Sequence, residues 1–515
     1  MMRRFCTLLA SPKSCKKHLF VLEQSLALER RLFSSQPSSI PVEIKFPQTH
    51  AESNHFDENI NSQIRVVSRQ NVKPNKPTPN NLRSYKLSAL DQIHNSSYVP
   101  LIFFYQNNVD GKTNMDDIIS KRSKRLKQSL SETLTHFYPF AGKFVDDSHI
   151  DCNDEGVYYI ETRVDSDLSS FLTKPDYGSL QRLLPMPNTK EPTRGFYLSM
   201  IQVNFFTCGG VAISMSNSHK LIDGTTYMTF ANAWASAAKG DPQQKMVYPN
   251  FDSPSLFLQN TQTPIYPSFP LSLLAVWPSL LRKGKCSTKR FVFDSSAINT
   301  LKEKAATASV SATRVVAVTS LIWKCATAAA RKQHGEERRP SHLPLAVNLR
   351  SKFAPPLPRN AIGNIIWTTV AKCESNHLRL DGMVENINEA ITRIDTNLAE
   401  RFKGEQGSAR VIEELKCIGH QLSRYDVDYL SLSSICNSGV YETDFGWGRP
   451  VWACYANFAK DVPLYANALF LMDTNIGHGI EAWVTLSEEE MAIFECDPEI
   501  TSYASVEPSP LPCIT

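Results

Sequence analysis

Two long stretches of this sequence alternate short apolar runs with helical runs, and a polar stretch separates them. The alternating stretches cover about residues 38–238 and 289–498. The residues between them, 239–285, are rich in Pro, Ser, Gln and Asn, which is typical of a connecting segment. Strands that alternate with helices build sheets that the helices cover, so we predict an α/β protein with two domains joined by a long crossover. The predicted boundaries are 38–238 for the first domain, 239–288 for the crossover and 289–515 for the second domain.

The composition suits two globular domains that bind a small molecule. Of the 515 residues, 42% are hydrophobic and 21% are charged, which excludes a disordered or fibrous chain. The first 33 residues hold seven basic and two acidic side chains, while the whole chain has a formal net charge of +4, so the remainder is close to neutral. A neutral surface offers no broad basic face for nucleic acid or anionic lipid. No apolar run approaches the roughly 20 residues that span a bilayer, so we expect no membrane partner.

The cysteines and histidines show no metal-site pattern. The 12 cysteines are scattered without a Cys-x-x-Cys pair, and no group of His and Cys has zinc-ligand spacing, so we predict no metal. The scatter also differs from the disulfide framework of a small secreted domain, and it suits a reducing compartment.

The N-terminal residues have the composition of an organellar presequence. They are basic, contain serines, and carry leucines at helical spacing with the arginines elsewhere. Arg31, Leu32 and Phe33 before two serines resemble a mitochondrial cleavage site. Residues 1–37 are therefore predicted to be a mitochondrial presequence. Glu23 is atypical of such leaders, so a cytosolic tail and plastid import stay open as alternatives.

One histidine lies on a predicted loop between a strand and a helix. A β-prone run, a Cys-Gly-Gly turn and an alternating apolar run predict a hairpin over residues 203–216. The apolar residues of 225–239 have helical spacing, and Gly240 is the expected helix C-cap. His219 and Asp223 therefore lie on a loop, where a scaffold can aim a side chain into a cleft.

An imidazole on such a loop can act as a general base for acyl transfer. A thioester already has a good leaving group, so the reaction needs a base near neutral pKa to take the proton of the attacking hydroxyl. Asp223 could orient the loop through an ion pair. A lone His-x-x-x-Asp is expected about once by chance in a chain with 12 histidines, so a structural histidine stays open as an alternative. Zinc binding by the pair is disfavoured, because no third ligand lies nearby in sequence.

A second motif lies about 220 residues downstream, where residues 444–450 read Asp-Phe-Gly-Trp-Gly-Arg-Pro. Alone, an aromatic and glycine-rich turn is most often structural. Together the two motifs resemble those that define the BAHD family of plant acyl-CoA-dependent acyltransferases. The resemblance covers about residues 64–499, and further family-like segments lie at residues 76–79, 87–91, 136–142, 348–350, 355–358 and 363–364.

The resemblance implies two similar chloramphenicol acetyltransferase-like domains, each a mixed sheet with helices, and a solvent channel along their interface. Acyl-CoA enters the channel from one side as a co-substrate, and a small alcohol acceptor enters from the other. No permanently bound cofactor is expected. The histidine of the first motif lies midway in the channel, so His219 is expected to be the catalytic base of a direct transfer by a monomeric enzyme.

The resemblance also implies roles for other residues. In the family, the aspartate of the first motif points away from the channel and pairs with an arginine, so Asp223 is expected to be structural, with Arg350 as its partner. Asp444 is also expected to be structural, and Trp447 has two interpretations, structural support and oxyanion donor. The candidate CoA-binding residues, each with a surface salt bridge as the alternative, are Lys289 and Arg314.

The chain most resembles the branch of this family that esterifies alkaloid alcohols. A mitochondrial location would place the enzyme beside the acyl-CoAs of branched-chain amino-acid breakdown, so tigloyl-CoA and a tropane alcohol are the expected substrates. Three alternatives stay open: transfer to an amine, a degenerate member that binds acyl-CoA without catalysis, and a hydrolase with Ser218 as nucleophile. The hydrolase is disfavoured because the sequence has no G-x-S-x-G elbow and Ser218 directly adjoins His219. An intact His219 argues against degeneracy.

Overall fold

In the computed structural model, the described residues are 64–94, 97–109, 114–185, 197–241, 247–259, 278–306, 311–335, 339–374, 378–456 and 465–511. All of these ranges belong to the same unit of the chain. The predicted presequence over residues 1–37 lies outside the described residues.

The strands in these ranges are β1 (Ile64–Val72), β2 (Ser84–Lys86), β3 (Tyr98–Tyr105), β4 (Lys143–Phe144), β5 (His149–Asp151), β6 (Val157–Val164), β7 (Ser199–Phe206), β8 (Val211–Ser218), β9 (Cys286–Phe293), β10 (Ser341–Asn348), β11 (Ile366–Cys373), β12 (Asp428–Tyr429), β13 (Ser431–Ser434), β14 (Trp452–Tyr455), β15 (Ala468–Asp473), β16 (Ile480–Ser487) and β17 (Ser505–Val506). The helices are α1 (Ala89–Gln92), α2 (Met115–His136), α3 (Leu168–Thr173), α4 (Tyr177–Arg182), α5 (Gly224–Lys239), α6 (Ser253–Leu256), α7 (Ser295–Ala305), α8 (Arg314–His334), α9 (Leu380–Thr392), α10 (Thr396–Glu400), α11 (Gly407–Leu422), α12 (Glu488–Phe494) and α13 (Pro498–Thr501). Short 3-10 helices lie at Asn80–Leu82, Tyr138–Ala141, Pro278–Leu280, Arg350–Lys352 and Val440–Glu442.

The first sheet has the strand order β1-β6-β7-β8-β3-β14. Its centre is a hairpin, since β7 and β8 pair antiparallel and every residue of both strands is buried. The hairpin predicted within residues 203–216 is therefore confirmed. The last strand, β14, comes from far downstream and pairs antiparallel with β3. The second half of the chain thus completes the sheet of the first half.

The second sheet has the order β11-β10-β13-β15-β16-β9-β17, and β12 pairs with β10. Both sheets are mixed, because β6 pairs parallel with β7 and β13 pairs parallel with β15 among otherwise largely antiparallel neighbours. The predicted mixed α/β class with two sheet-bearing halves is confirmed. A small third sheet has the order β2-β5-β4.

The helices α2 and α5 pack on the first sheet and against each other. The indole of Trp234 on α5 is fully buried and donates to the carbonyl of Leu126 on α2 at 3.1 Å. The helix ends at Gly240, whose φ of 66° gives the left-handed C-cap that the sequence predicted. Because α5 is fixed along its length by this packing, its first turn is a rigid support for the loop that precedes it.

Two further apolar cores complete the fold. One lies on the second sheet, where α8 packs against α7, α9 and α12. The other joins α1 to α11 and β11 through residues that include Leu90, Trp367 and Leu415. This third cluster lies beneath the segment that follows α1, which contributes to the site described below.

The described ranges contain neither a membrane-spanning helix nor a cluster of metal ligands. None of their helices is both long and apolar enough to span a bilayer. No group of three or more His, Cys, Asp or Glu side chains in these ranges could hold a metal ion. The nine cysteines of these ranges are free thiols.

Candidate active site

The loop that carries His219 is tied to the sheet at its start. The strand β8 ends at Ser218, whose N–H donates to the carbonyl of Leu198 at 2.9 Å. The N–H of His219 then donates to the carbonyl of Ser97 at 2.8 Å. The backbone of the histidine is therefore fixed by the sheet edge, as the sequence predicted for a residue on a strand-to-helix loop.

Asp223 closes the loop as the N-cap of α5. Its Oδ1 accepts from the N–H of Thr226 at 2.8 Å, which satisfies a free donor of the first helical turn. The guanidinium of Arg350 binds the carboxylate through two hydrogen bonds of 2.6 and 3.2 Å, and both side chains are buried. Ile365 adds a backbone donor at 3.1 Å. The expected ion pair with Arg350 is present. Four donors occupy the carboxylate oxygens of Asp223, so they have no free acceptor position for the ring of His219.

A third segment, Gly363 to Ile365, supports the loop from the second half of the chain. The side-chain amide of Asn364 donates to the carbonyl of His219 at 2.8 Å and to Asp91 at 3.2 Å. The N–H of Asn364 donates to the same carboxylate at 2.6 Å. Gly363 has a φ of +126°, and a Cβ there would meet the Asp91 carboxylate at 3.3 Å, so the close approach requires glycine. Asp91, Asn364 and His219 thus form one continuous chain of hydrogen bonds.

A cavity of about 580 Å³ opens beside this loop, between residues of the two halves of the chain. This volume is typical of a small-molecule site. His219 lies in its wall, and the first half contributes Val99, Leu101, Ile222 and Tyr227, while the second contributes Ile366, Ile435, Tyr455 and Phe470. The Nδ1 atom of His219 is buried without a hydrogen-bond partner among the described residues. Nε2 is therefore the ring nitrogen that faces the cavity.

A second histidine lies against the first. The ring of His94 stacks on that of His219, with centroids 4.9 Å apart and an angle of 4° between the planes. Burial, followed by the electrostatic effect of His219, lowers the pKa of His94 well below the ordinary value of 6.5. His94 is therefore uncharged at neutral pH.

The second motif forms a tight turn at the other end of α5. Oδ1 of Asp444 accepts from the N–H groups of Gly446 and Gly448, both at 2.9 Å, and Lys239 donates to Oδ2 at 2.9 Å. Burial opposes ionisation of the carboxyl, but the hydrogen bonds from Lys239 and the two glycines outweigh it and lower the pKa of Asp444 below its ordinary value. Asp444 therefore joins the turn to the last residue of the helix.

Comparison with known proteins agrees with this arrangement. A family model described as the Transferase family matches residues 62–501. The chain belongs to the BAHD acyltransferases.

Relatives in this BAHD family match nearly the whole described chain. Epi-neemfruitin B 7-O-acetyltransferase of Melia azedarach is 37% identical over 460 residues, which are 87% of this chain and 99% of that protein. The 17,18-epoxy-17-hydroxycur-19-ene N-malonyltransferase of Strychnos nux-vomica is 35% identical over 447 residues, 86% of this chain and 91% of that protein. The crystal structure of vinorine synthase is 31% identical, has a TM-score of 0.70, and covers 86% of this chain and 99% of its own. The chain is therefore an acyl-transferring enzyme with the BAHD fold.

Trp447 of this BAHD chain does not reach His219, which corrects the interpretation of its indole as an oxyanion donor. Ser218, next to His219, pairs with Tyr98 at one end of β3, while Trp447 packs on Tyr105 at the other end. Seven strand residues at about 3.3 Å each separate the two sites by roughly 20 Å. The Trp447 Nε1 is also buried, and the ring packs on Phe445 and under Arg122. Its contacts are those of structural support.

The two candidate CoA-binding residues differ in position. Lys289 on β9 forms a salt bridge with Glu495, and it does not line the cavity. Arg314 binds Asp473 at 3.0 Å and the side chain of Asn437 at 2.8 Å, and Asn437 does line the cavity. Lys289 therefore forms a salt bridge, which was the alternative to CoA binding. Arg314 lies beside the site, but it is already paired with Asp473.

Three residues of the site were missed as functional in the sequence. Asp91 and Asn364 lie in segments whose family likeness is visible, but their contact joins positions 273 residues apart. His94 carries no local signal at all, because only the fold brings it onto His219. From the sequence alone, a histidine that follows a short helix does not stand out among the 12 histidines of the chain.

Proposed function

We propose that this BAHD enzyme is an O-acyltransferase that moves a short acyl group from coenzyme A to an alcohol of a plant specialised metabolite, with His219 as general base. The observation that carries the proposal is the position of His219, whose backbone is held by Ser97 and Asn364 and whose Nε2 faces a cavity between the two halves. The other candidate catalytic residue, Trp447, is too far away to take part.

In the proposed reaction, His219 takes up one proton from the acceptor and later gives it to the leaving group. His219 Nε2 accepts the proton of the acceptor hydroxyl while the oxygen attacks the thioester carbon and forms the new C–O bond. The tetrahedral intermediate then breaks its C–S bond, and the imidazolium returns the proton to the departing thiolate. The products are the ester and free CoA thiol. A direct transfer of this kind needs no covalent enzyme intermediate.

The walls of the cavity support an alkaloid alcohol as the acceptor. Tyr455 and Phe470 form a stacked aromatic pair in the wall, with ring planes 12° apart. Aromatic faces attract a substrate ammonium through cation–π interaction. Asp223 is the only carboxylate among the described residues that line the cavity, and Arg350 neutralises it, while Arg359 adds a positive charge to the wall. A protonated amine of the acceptor would therefore bind against the aromatic pair and away from Arg359.

The donor that we favour is tigloyl-CoA, with a tropane alcohol as acceptor and a mitochondrial location for the monomeric enzyme. This part of the proposal rests on the basic, serine-containing leader. A fluorescent protein fused behind residues 1–40 should co-localise with a mitochondrial marker. Retention of the fusion in the cytosol or its import into plastids would remove the argument for tigloyl-CoA and leave the acyltransferase itself untouched.

A second candidate is transfer to an amine. It is favoured by the likeness to an N-malonyltransferase. Both reactions use the same base, so the geometry of His219 does not distinguish them.

The deciding experiment measures free thiol release by the purified full chain with each pairing of donor and acceptor. The donors are acetyl-CoA, tigloyl-CoA and malonyl-CoA, and the acceptors are a tropane alcohol, a triterpenoid alcohol and an alkaloid amine. Fast release that depends on an alcohol supports the proposal, and release that depends on the amine supports the second candidate. Release that ignores the acceptor would indicate a hydrolase, and none with any pairing would indicate a binding protein.

A further inference from the structure

Among the described residues, no hydrogen bond holds the plane of the His219 imidazole. A catalytic histidine is commonly oriented by an acceptor for its Nδ1–H, such as a carboxylate or a carbonyl. Here Nδ1 is buried without a partner among the described residues. The nearby carboxylate of Asp223 is filled by Arg350, Thr226 and Ile365. The described hydrogen bonds therefore fix the backbone of His219 and leave its ring to be held by packing.

The ring of His94 packs face to face on that of His219. The two imidazoles are parallel within 4°, and the centroid separation of 4.9 Å is that of an offset stack. His94 does not line the cavity, so a substrate bound there does not touch it. It therefore lies behind His219 rather than beside the reacting atoms.

We propose that His94 is a positioning residue that holds the imidazole of His219 in the plane where Nε2 faces the acceptor hydroxyl. The proposal rests on the function proposed above, because it assigns His94 a role only if His219 is the base. It adds a residue from outside both sequence motifs to the catalytic apparatus.

The segment that carries His94 is itself rigid. Ser88 and Asp91 form a capping box at α1, in which the Ser88 hydroxyl accepts from the N–H of Asp91 and the Asp91 carboxylate accepts from the N–H of Ser88. The N–H of His94 donates to the carbonyl of Asp91 at 3.1 Å. Through Asn364, the carboxylate of Asp91 also reaches the carbonyl of His219. The same short segment thus supports the backbone of His219 by one path and its ring by another.

The surroundings of His94 keep it uncharged while His219 takes up a proton. The small space around His94 is lined by Ile93 of its own segment and by side chains from β11 and α11, and none of them ionises: Ile366, Trp367, Thr368, Leu415 and Ile418. On its own segment Asp91 is engaged by Ser88 and Asn364. His219 is the charged or titratable group that acts on it. Two stacked imidazolium ions would repel each other, so the buried ring of His94 stays neutral.

The test compares His94→Ala, which removes the ring, with His94→Phe, which keeps a planar ring and removes the imidazole. Steady-state kinetics are measured from pH 5 to 9 with saturating and limiting acceptor, on the full chain. We expect His94→Ala to lose roughly tenfold to a hundredfold in kcat, because misorientation of a reacting group has that cost, with little change in KM. We expect His94→Phe to stay within about threefold of the wild type, because the stacked ring remains. In the plot of kcat against pH, both the wild type and His94→Phe should show a single ionisation on the acid side.

His342→Phe is the matched control. His342 is a buried histidine on β10 whose ring packs against Tyr429, and it does not line the cavity. Its replacement should change the melting temperature without changing kcat or the pH profile. Thermal unfolding of each variant separates loss of folded protein from loss of turnover, and the folded fraction is used to normalise kcat.

Three results would overturn the positioning role: full kcat in folded His94→Ala, a His94→Phe variant as slow as His94→Ala, or a second ionisation that disappears with the imidazole. The His219→Ala variant, assayed alongside, distinguishes failure of the function itself. Normal turnover in His219→Ala would remove the proposed base, whereas an inactive His219→Ala with an active His94→Ala removes only the role of His94.

Discussion

Asp223 and Asp444 use the same local device in different surroundings. Asp223 accepts from one backbone N–H of the turn that follows it and Asp444 accepts from two, and each aspartate pairs with a cation from another segment. The Asp223 side chain is 1% exposed and its partner Arg350 is 5% exposed, whereas the values for Asp444 and Lys239 are 22% and 38%. The first pair lies in the wall of the cavity, and the second lies at the far end of α5.

Both motifs identify the family, but only the first places a side chain at the cavity where the reaction takes place. The first motif contains both a structural aspartate and a histidine that reaches the cavity. The second contains a structural aspartate and a tryptophan about 20 Å from that histidine along β3. Burial then decides how much each aspartate contributes, because a lone buried charge is far more costly than an exposed one. Four substitutions test this difference between the two motifs.

Asp223→Ala should have the largest effect. It leaves the buried Arg350 guanidinium without a counter-charge and removes the N-cap of α5, so we expect the free energy of unfolding to fall by about 3 to 5 kcal/mol. Chemical denaturation followed by tryptophan fluorescence measures it. The double variant Asp223→Ala with Arg350→Ala should recover part of the loss, since no lone charge remains. A stability equal to the wild type for Asp223→Ala would show that the pair is not structural.

His219→Ala should have the next largest effect, on rate rather than on stability. Loss of the general base is expected to lower kcat by about two orders of magnitude, which corresponds to about 2.7 kcal/mol in the barrier. The melting temperature should change little, because the backbone contacts of the loop do not involve the ring. Turnover is measured by thiol release at saturating acceptor, with the unaltered chain as reference. Near-normal kcat would exclude His219 as the base.

Much of the framework of the site could be predicted from local sequence. The hairpin β7-β8 has a β-prone first strand, a Gly-Gly turn and an alternating second strand, and α5 has helical spacing and a terminal glycine. Both elements and the loop between them therefore follow from short-range patterns. The pairing of Asp223 with Arg350 came from the resemblance, because no local pattern joins residues 127 positions apart.

The parts that escaped prediction depend on contacts between distant segments. The strand β14 completes the first sheet although it follows the second motif, and its pairing with β3 has no signature in either segment. The same insertion places Trp447 beside Tyr105 and so away from the cavity. His94 reaches His219 only because α1 packs on α11 and β11. Side-chain environment of this kind follows from packing, and a single sequence does not encode it in its spacing.

Trp447→Phe should have a small effect and distinguishes the two interpretations of the second motif. The phenyl ring keeps the stack with Phe445 and the contact with Tyr105, so we expect the unfolding free energy to fall by about 1 kcal/mol and kcat to stay within about twofold. Removal of a true oxyanion donor would lower kcat by about 10² to 10³. The assay is the one used for His219→Ala, and a fall of that size would overturn the structural assignment.

Asp444→Asn should have the smallest effect, and its pH dependence identifies the cause. The asparagine keeps an oxygen that accepts from Gly446 and Gly448, and it loses only the exposed ion pair with Lys239, so we expect the melting temperature to fall by roughly 1 °C or less.

The pKa of Asp444 is lowered in the folded protein, so the ion pair contributes above the ordinary aspartate pKa of about 3.9 and is lost as the pH falls through the folded value. The difference in stability between wild type and Asp444→Asn should therefore be constant near pH 7, shrink towards pH 3, and shrink at neutral pH as salt is added. Equal stability of wild type and Asp444→Asn at every pH and salt concentration would mean that the turn hydrogen bonds alone account for Asp444. That outcome would make the contrast with the buried Asp223 pair larger, because the second aspartate would then have no electrostatic role.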